Sequence, residues 1–256
     1  MKIVAVIPAH MASIRFPGKI LFPFHGLPMI EHVRRRALMA KSLDEVIVAT
    51  CDSEIASVIR GFGGKVVMTS NTHQNGTSRV AEAIEKIECS HVMLLQGDEP
   101  LLLPRHIDIF SKAIEANLNV DAWNATGPIE FSDELDRKSF VKCSVGADNR
   151  ILYCFRRTPC YSDFDTQNSF IRKILGMIAY KKEFLFELTK LQSSLIENAE
   201  SIEQMRIIEN GYSIRSIPVV PSLPSVNEPG EVDIVLNYLQ SNLEQRTILK
   251  KIIDAK

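Results

Sequence analysis

Residues 3–19 read Ile3-Val4-Ala5-Val6-Ile7-Pro8-Ala9-His10-Met11-Ala12-Ser13-Ile14-Arg15-Phe16-Pro17-Gly18-Lys19, and their order sets how the rest of the chain is read. The apolar, largely β-branched run Ile3–Ile7 closed by Pro8 has the pattern of a short buried strand. The following residues are polar and carry Gly and Pro, so a loop extends to about Lys19. From Pro28 to Ala40, Met29, Ile30, Val33, Ala37 and Leu38 recur at helical spacing, and Pro28 suits a first helical turn. The unit then repeats. Glu45–Ala49 reads as a strand, Ser53 as the cap of a helix to about Arg60, and Gly63-Gly64 as its stop. Val66–Met68 is a third strand, Thr77 the cap of a helix over Ser78–Ile87, and His91–Leu95 a fourth strand. Alternation of this kind predicts an α/β fold with a mainly parallel sheet flanked by helices.

The second half is less regular. Short strands are expected near Asp121–Thr126, Val141–Val145, Ile151–Phe155, Leu175–Tyr180 and Ile214–Val219. Helices are expected near Lys182–Thr189, Glu200–Asn210 and Glu228–Gln240. The polar stretch Tyr161–Asn168 reads as a mobile loop. No linker cleanly divides the chain, so residues 1–256 are read as a single domain, with the strand-rich region of about residues 141–180 as a surface for dimerisation or sugar binding.

With 256 residues, 45% hydrophobic and 24% charged, the chain can bury a sizeable core. A formal net charge of −1, spread evenly, points to no nucleic-acid partner and no membrane-surface patch. Five cysteines, Cys51, Cys89, Cys143, Cys154 and Cys160, make neither a CxxC pair nor a zinc spacing. They read as reduced thiols in a cytoplasmic protein. The apolar start is interrupted by Pro8 and followed by His10 and Arg15, too short for a signal peptide. No stretch approaches the ~20 apolar residues that span a bilayer.

In open α/β sheets, ligands gather beyond the carboxyl ends of the strands. The loop at Pro8–Lys19 stands there, with a hydroxyl donor at Ser13, a forked cation at Arg15, a Gly and a Lys. Arg and Lys together can clamp a triphosphate while the Gly lets backbone approach it. Gly18-Lys19 is followed by Ile20, which excludes a Walker A loop. No Gly-x-Gly-x-x-Gly follows the first strand, which removes the main support for a dinucleotide-binding dehydrogenase. Asp98, after an apolar strand and Gly97, projects a hard carboxylate of the kind that suits Mg²⁺.

The Pro8–Lys19 loop resembles the signature Pro-Ala-Arg-x-x-Ser-x-Arg-x-Pro-Gly-Lys of the sugar-activating nucleotidyltransferases, with His10 in place of the first Arg. The resemblance is to the 3-deoxy-manno-octulosonate (Kdo) cytidylyltransferase family. It continues through Gly26-x-Pro28-Met29-Ile30-x-His32-Val33, Val48-Ala49-Thr50, Met68-Thr69, His73-Gln74-x-Gly76-Thr77-x-Arg79 and Gln96-Gly97-Asp98-Glu99-Pro100. Val141-Lys142, Leu152-Tyr153 with Arg156, and Glu203-Gln204-x-Arg206 carry it nearly end to end. It implies a Rossmann-like nucleotide-diphospho-sugar transferase fold and a homodimer. It also implies transfer of CMP from CTP to an acidic 2-keto-3-deoxy sugar with release of pyrophosphate.

The resemblance further implies a Mg²⁺ cofactor held by Asp98. Arg15 and Lys19 would hold the β- and γ-phosphates, and with Asp98 they form the expected catalytic group. Ala9, His10, Ser13, Gln74 and Gln96 would join Arg15 and Lys19 in contacting the nucleotide. Arg79, Gln96, Arg156, Glu203 and Gln204 would face the sugar, Arg156 as a fork on its carboxylate. No residue stands out as a general base.

The sequence departs from the family pattern in its C-terminal motif and at three further positions. Near the C-terminus the family has Val-Asp-Thr-Pro-Glu-Asp, its Asp a metal ligand, whereas this chain has Val226-Asn227-Glu228-Pro229-Gly230-Glu231. Asn227 is expected at the metal, with Glu228 as an alternative source of charge. His10 replaces Arg, Ile174 stands for a His and Ile178 for a Tyr. Losing a cation and two polar tips predicts a more apolar pocket and a modified octulosonate, such as a deoxy or amino form. A nonulosonate acceptor and a non-catalytic nucleotide- or sugar-binding homologue are the competing expectations.

Overall fold

A computed structural model describes residues 1–254 of the chain. These pack as two compact units, residues 1–111 with 223–254 and residues 112–222. The first unit is discontinuous. One division falls inside the helix Pro104–Glu115 and the other in the irregular stretch after Ser222, so neither is marked by a linker.

In the first unit four strands run parallel in the order Lys65–Met68, Glu45–Thr50, Ile3–Ala9, His91–Leu95. Ile3 to Ile7 are buried, as are all five residues of His91–Leu95, which explains why both read as unbroken apolar runs. Between strands come the helices Met29–Leu38, Ser53–Gly61 and Gly76–Ala83. Met29, Ile30, Val33 and Ala37 form the buried stripe of the first of these. His32, on the same helix, is buried against the Phe24 carbonyl at 2.7 Å, and burial pushes its imidazole down to about 4. It therefore serves the core as a neutral ring.

The helix Pro104–Glu115, which has no counterpart in the sequence reading, follows the fourth strand. The expected Glu228–Gln240 helix begins as a short 3-10 turn, Pro229–Glu231, and becomes α-helical over Val232–Ser241. A second helix that pattern reading passed over, Leu243–Asp254, packs Ile248 and Ile252 with Leu27 and Leu103.

Two caps differ from expectation. Asn75, not Thr77, caps Gly76–Ala83, its Oδ1 accepting from Ser78 N at 2.9 Å. Asp52 occupies the cap position of Ser53–Gly61, where Ser53 is the first helical residue.

In the second unit the long strand Ile171–Lys181 pairs antiparallel with Ala122–Gly127 over most of its length. Its first residues pair with Lys142–Val145, which in turn pairs with Ile151–Phe155. Ile214–Pro218 adds a parallel strand beside Ala122–Gly127. Trp123 is fully buried there. The strand register shifts between Ile174 and Ile178, so a bulge lies where the chain departs from its family pattern.

Tyr161–Asn168 is not a loop throughout. Phe164–Phe170 is helical, and Asp163 caps it by accepting from Thr166 N at 2.8 Å. The expected Glu200–Asn210 helix is two short ones, Leu195–Glu200 and Gln204–Glu209. Ser201 sits between them at φ 54°, a left-handed conformation that stops the first.

No helix among the described residues is long and apolar enough to cross a membrane. The central strands of the first unit carry its stability. Ile47 is 2% exposed and bordered by a strand on either side, so Ile47→Ala is expected to cost about 2–5 kcal/mol, read as a lower midpoint in urea unfolding at unchanged slope.

Candidate functional site

The strand order places the site. The chain steps outward from Ile3–Ala9 to Glu45–Thr50 and Lys65–Met68, then returns to lay His91–Leu95 on the other side of the first strand. This reversal is a topological switch point, and the loops leaving its two strands open at one sheet edge. They are Pro8–Lys19 and Gln96–Asp98.

The first loop is folded on itself around Met11. The Met11 carbonyl accepts from Ser13 N at 2.9 Å and from Gly18 N at 3.1 Å, while Met11 N donates to Asp52 Oδ2 at 2.9 Å. Gly18 has φ 72°, which a glycine adopts without strain and which turns the chain into the 3-10 turn Lys19–Leu21. A Cβ on Gly97 would lie 2.6 Å from Ile20 Cδ1, so any larger residue there would make the Ile20 methyl shift.

Lys19 and Asp98 meet. Lys19 Nζ lies 2.6 Å from Asp98 Oδ2 and donates to the Val226 carbonyl at 2.8 Å. Val226 N donates back to the Asp98 carbonyl at 2.9 Å. Residues 226 and 227 are thereby laid alongside Asp98. Asn227 is fixed through its N–H to Glu231 Oε2 at 2.5 Å and its Nδ2 to Ser225 Oγ at 3.0 Å. Arg15 Nη2 reaches to 3.5 Å from Asn227 Oδ1. Arg15, Lys19, Asp98 and Asn227, spread over more than 200 positions of sequence, thus form one cluster. Glu228 is exposed beside them and caps the Pro229–Glu231 turn.

Asp98 and Asn227 offer hard oxygen donors in adjacent segments, an arrangement that fits Mg²⁺, which takes one or two protein oxygens and completes its shell with phosphate and water. No group of three or more His, Cys, Asp or Glu able to hold a metal occurs among the described residues. The donor set therefore suits an ion shared with substrate rather than one caged by protein.

Beside this cluster is a cavity of about 560 Å³. Of the expected nucleotide contacts, Ala9, His10, Ser13, Lys19, Gln74 and Gln96 line it, as does Arg79 of the expected sugar contacts. Gln74, Gln96 and His10 are exposed, free to meet a ligand. Arg79 is only 4% exposed, and its Nη1 donates to Thr69 Oγ1 at 2.6 Å and to the Ser70 carbonyl at 3.2 Å. Gly76 seats its helix against the end of the first strand: a Cβ there would lie 3.1 Å from Pro8 Cγ.

The remaining expected sugar contacts lie in the second unit. The Arg156 guanidinium donates to the backbone carbonyls of Glu200 at 2.7 Å, Lys138 at 2.9 Å and Ser201 at 3.1 Å, so it braces loops of its own unit. Gln204 Nε2 donates to Asn124 Oδ1 at 2.9 Å, and Asn124 Nδ2 donates to the carbonyls of Ala125 and Leu175. Glu203 stands at the cap position of the Gln204–Glu209 helix. Arg206 makes a forked pair with Glu197 at 2.6 and 2.8 Å, which raises the guanidinium pKa further.

Cys51, Asp52, Asn71, His73 and Asn75 also line the cavity, although the sequence reading gave none of them a ligand role. Asp52 carried a signal: a carboxylate just past the second strand is at the ligand edge of a parallel sheet by position alone. Its part in holding Met11 had none, because a side chain-to-backbone bond across 41 residues leaves no local pattern.

A family model described as cytidylyltransferase matches residues 4–216. The 3-deoxy-manno-octulosonate cytidylyltransferase of Geotalea daltonii is 35% identical over 251 residues, covering 94% of this chain and 99% of that protein. The protein of that name from Escherichia coli is 34% identical over 244 residues, covering 95% and 98%. Among solved structures, a CMP:2-keto-3-deoxy-manno-octonic acid synthetase complexed with CTP superposes with a TM-score of 0.87 at 34% identity, covering 93% of this chain and 98% of that one. An inositol-1-phosphate CTP transferase from T. maritima shares the fold alone, with a TM-score of 0.67 at 14% identity over 98% and 96% of the two chains. Identity of this level over nearly the whole length, on a Rossmann-like sheet, settles the family: the chain belongs to the 3-deoxy-manno-octulosonate cytidylyltransferases, which are nucleotidyltransferases.

Proposed function

We propose that the chain transfers CMP from CTP to 3-deoxy-manno-octulosonate or a modified form of it, releasing pyrophosphate, in the synthesis of a cell-surface polysaccharide or lipopolysaccharide. The observation that carries the reading is the Lys19–Asp98 pair at the switch point, with Arg15 and Asn227 beside it and the cavity adjoining. A sugar hydroxyl oxygen forms a new bond to the α-phosphorus as the bond to the bridging oxygen of pyrophosphate breaks, and the hydroxyl proton passes to solvent. Such displacements depend on positioning and on neutralising phosphate charge. Lys19 and Arg15 grip the β- and γ-phosphates. The Ala9–Ser13 backbone with Ser13, His10, Gln74 and Gln96 orients the nucleotide. Asp98, with Asn227 as a neutral second donor, would hold Mg²⁺, which when bound would supply positive charge to the phosphate oxygens. Arg79 and Gln96, which line the cavity, serve the sugar.

The enzyme acts in the cytoplasm, where CTP is available, on substrates free in solution and with no nucleic-acid or membrane partner. It is a homodimer joined through its second unit, where Phe131 and Leu152 expose apolar surface. A modified acceptor is favoured by His10 at the cavity and by Ile174 and Ile178 on the bulged strand. Losing a forked cation and two polar tips at these positions penalises a fully hydroxylated sugar, some of whose hydroxyls go unpaired.

Pyrophosphate release with CTP is expected for Kdo and its deoxy or amino analogues, with the analogues preferred in kcat/KM. Full efficiency with Kdo alone would remove the modified acceptor. Release only with a nonulosonate would change the substrate, and silence with every nucleotide and acid would leave a binding protein. Asp98→Ala and Lys19→Ala are each expected to lower kcat by about 10²- to 10³-fold or more, the scale for losing one preorganised charge-stabilising contact. Chelation with EDTA should stop turnover, and added Mg²⁺ should restore it. Asn227→Asp, which returns a charge to the metal, is expected to keep turnover and reach half-activity at lower Mg²⁺. Loss of turnover in that variant would remove Asn227 from the metal.

A further inference from the structure

The cavity wall at Asn71–Asn75 has no regular structure. Four residues of it line the space: Asn71, His73, Gln74 and Asn75. A loop of that kind is ordinarily mobile, yet this one is gripped from one helix face. Glu82 accepts from Ser70 N at 3.0 and 3.2 Å and also bonds His73 Nε2. One turn earlier, Arg79 holds the Ser70 carbonyl and the Thr69 hydroxyl. His73 is engaged at both ring nitrogens, since Nδ1 lies 3.0 Å from Ser78 Oγ. The bond from His73 is the main reason the Glu82 carboxyl is held below its ordinary value. The helix carrying Arg79, Glu82 and Ser78 is itself seated on Pro8 through Gly76. One short helix therefore fixes the loop bearing Gln74 relative to the end of the first strand.

From this geometry we infer that Glu82, which does not line the cavity, is a positioning residue for nucleotide binding, acting through Ser70 and His73 to hold Gln74 at the cavity wall. The inference rests on the proposed use of this cavity for CTP. Loss of the clamp weakens ground-state binding and leaves the reacting groups Arg15, Lys19 and Asp98 in place.

The test compares Glu82→Ala and Glu82→Gln in the full chain. Glu82→Ala should raise KM for CTP by roughly 10- to 100-fold, as loss of an orienting partner behind a first-contact group does, with kcat within about twofold. Glu82→Gln keeps an acceptor for Ser70 N and His73 and should recover part of that loss. Hydrogen exchange at the amides of residues 70–75 should quicken in Glu82→Ala alone. Unchanged KM with only a lower Tm would overturn the inference, as would a fall in kcat at unchanged KM. CTP affinity measured by calorimetry separates the two readings. Binding that weakens in Glu82→Ala while the unsubstituted chain releases no pyrophosphate would sink the proposed reaction and leave the clamp standing.

Discussion

The ammonium of Lys19 is the point to which the rest of the first unit is tied. It is shared between the Asp98 carboxylate and the Val226 carbonyl, and Val226 returns a bond to the Asp98 backbone. Three segments, from the first loop, the loop after the fourth strand and the returning C-terminal stretch, are held by one charged group. With side-chain exposures of 13% and 24%, the pair is shielded enough for the attraction to outweigh what a surface pair gives. It also closes a unit that the chain leaves at Ser111 and re-enters at Leu223. The same contact that joins the two stretches of the first unit therefore builds the charged corner where phosphate chemistry is proposed.

Two glycines help shape that corner. Gly97 lets the second loop press on Ile20, and Gly18 turns the first loop so that Lys19 faces Asp98. The rest of the first loop is shaped by its own backbone, with the Met11 carbonyl taking two N–H groups and Asp52 taking the Met11 N–H. A loop so fixed meets a nucleotide with its donors already placed, which lowers the ordering cost of binding.

Much of this was legible in the sequence, and the reasons differ by residue. The first-unit strands were visible because strands buried on both faces read as unbroken apolar runs, and Ile3–Ile7 and His91–Leu95 are such runs. Arg15, Lys19 and Asp98 were accessible because their motifs follow apolar strands, and Asn227 because it stands in a resembled family pattern that it alters. Legibility failed where a side chain bonds at long range. Nothing local marks Asp52 as the support of Met11, or Arg156 as a brace for three carbonyls. It failed again where polar composition hides a cap. Asp163 begins a helix inside a stretch that reads as loop, and Ser201 breaks one that reads as continuous.

The departures from the family pattern follow a common physical direction. Asn227 stands where the family pattern has a carboxylate, His10 replaces a forked cation, and Ile174 and Ile178 replace polar tips. Each exchange makes its surroundings less charged or less polar, while Arg15, Lys19 and Asp98 keep theirs. The groups that neutralise a triphosphate must hold their charge, because any CTP-dependent transfer meets the same phosphates. The groups that meet the acceptor are free to change with it, since an unpaired buried hydroxyl is costly and an added apolar contact is cheap. Change confined to such positions is the ground for the proposed modified acceptor, and it leaves Arg15, Lys19 and Asp98 as the family pattern has them.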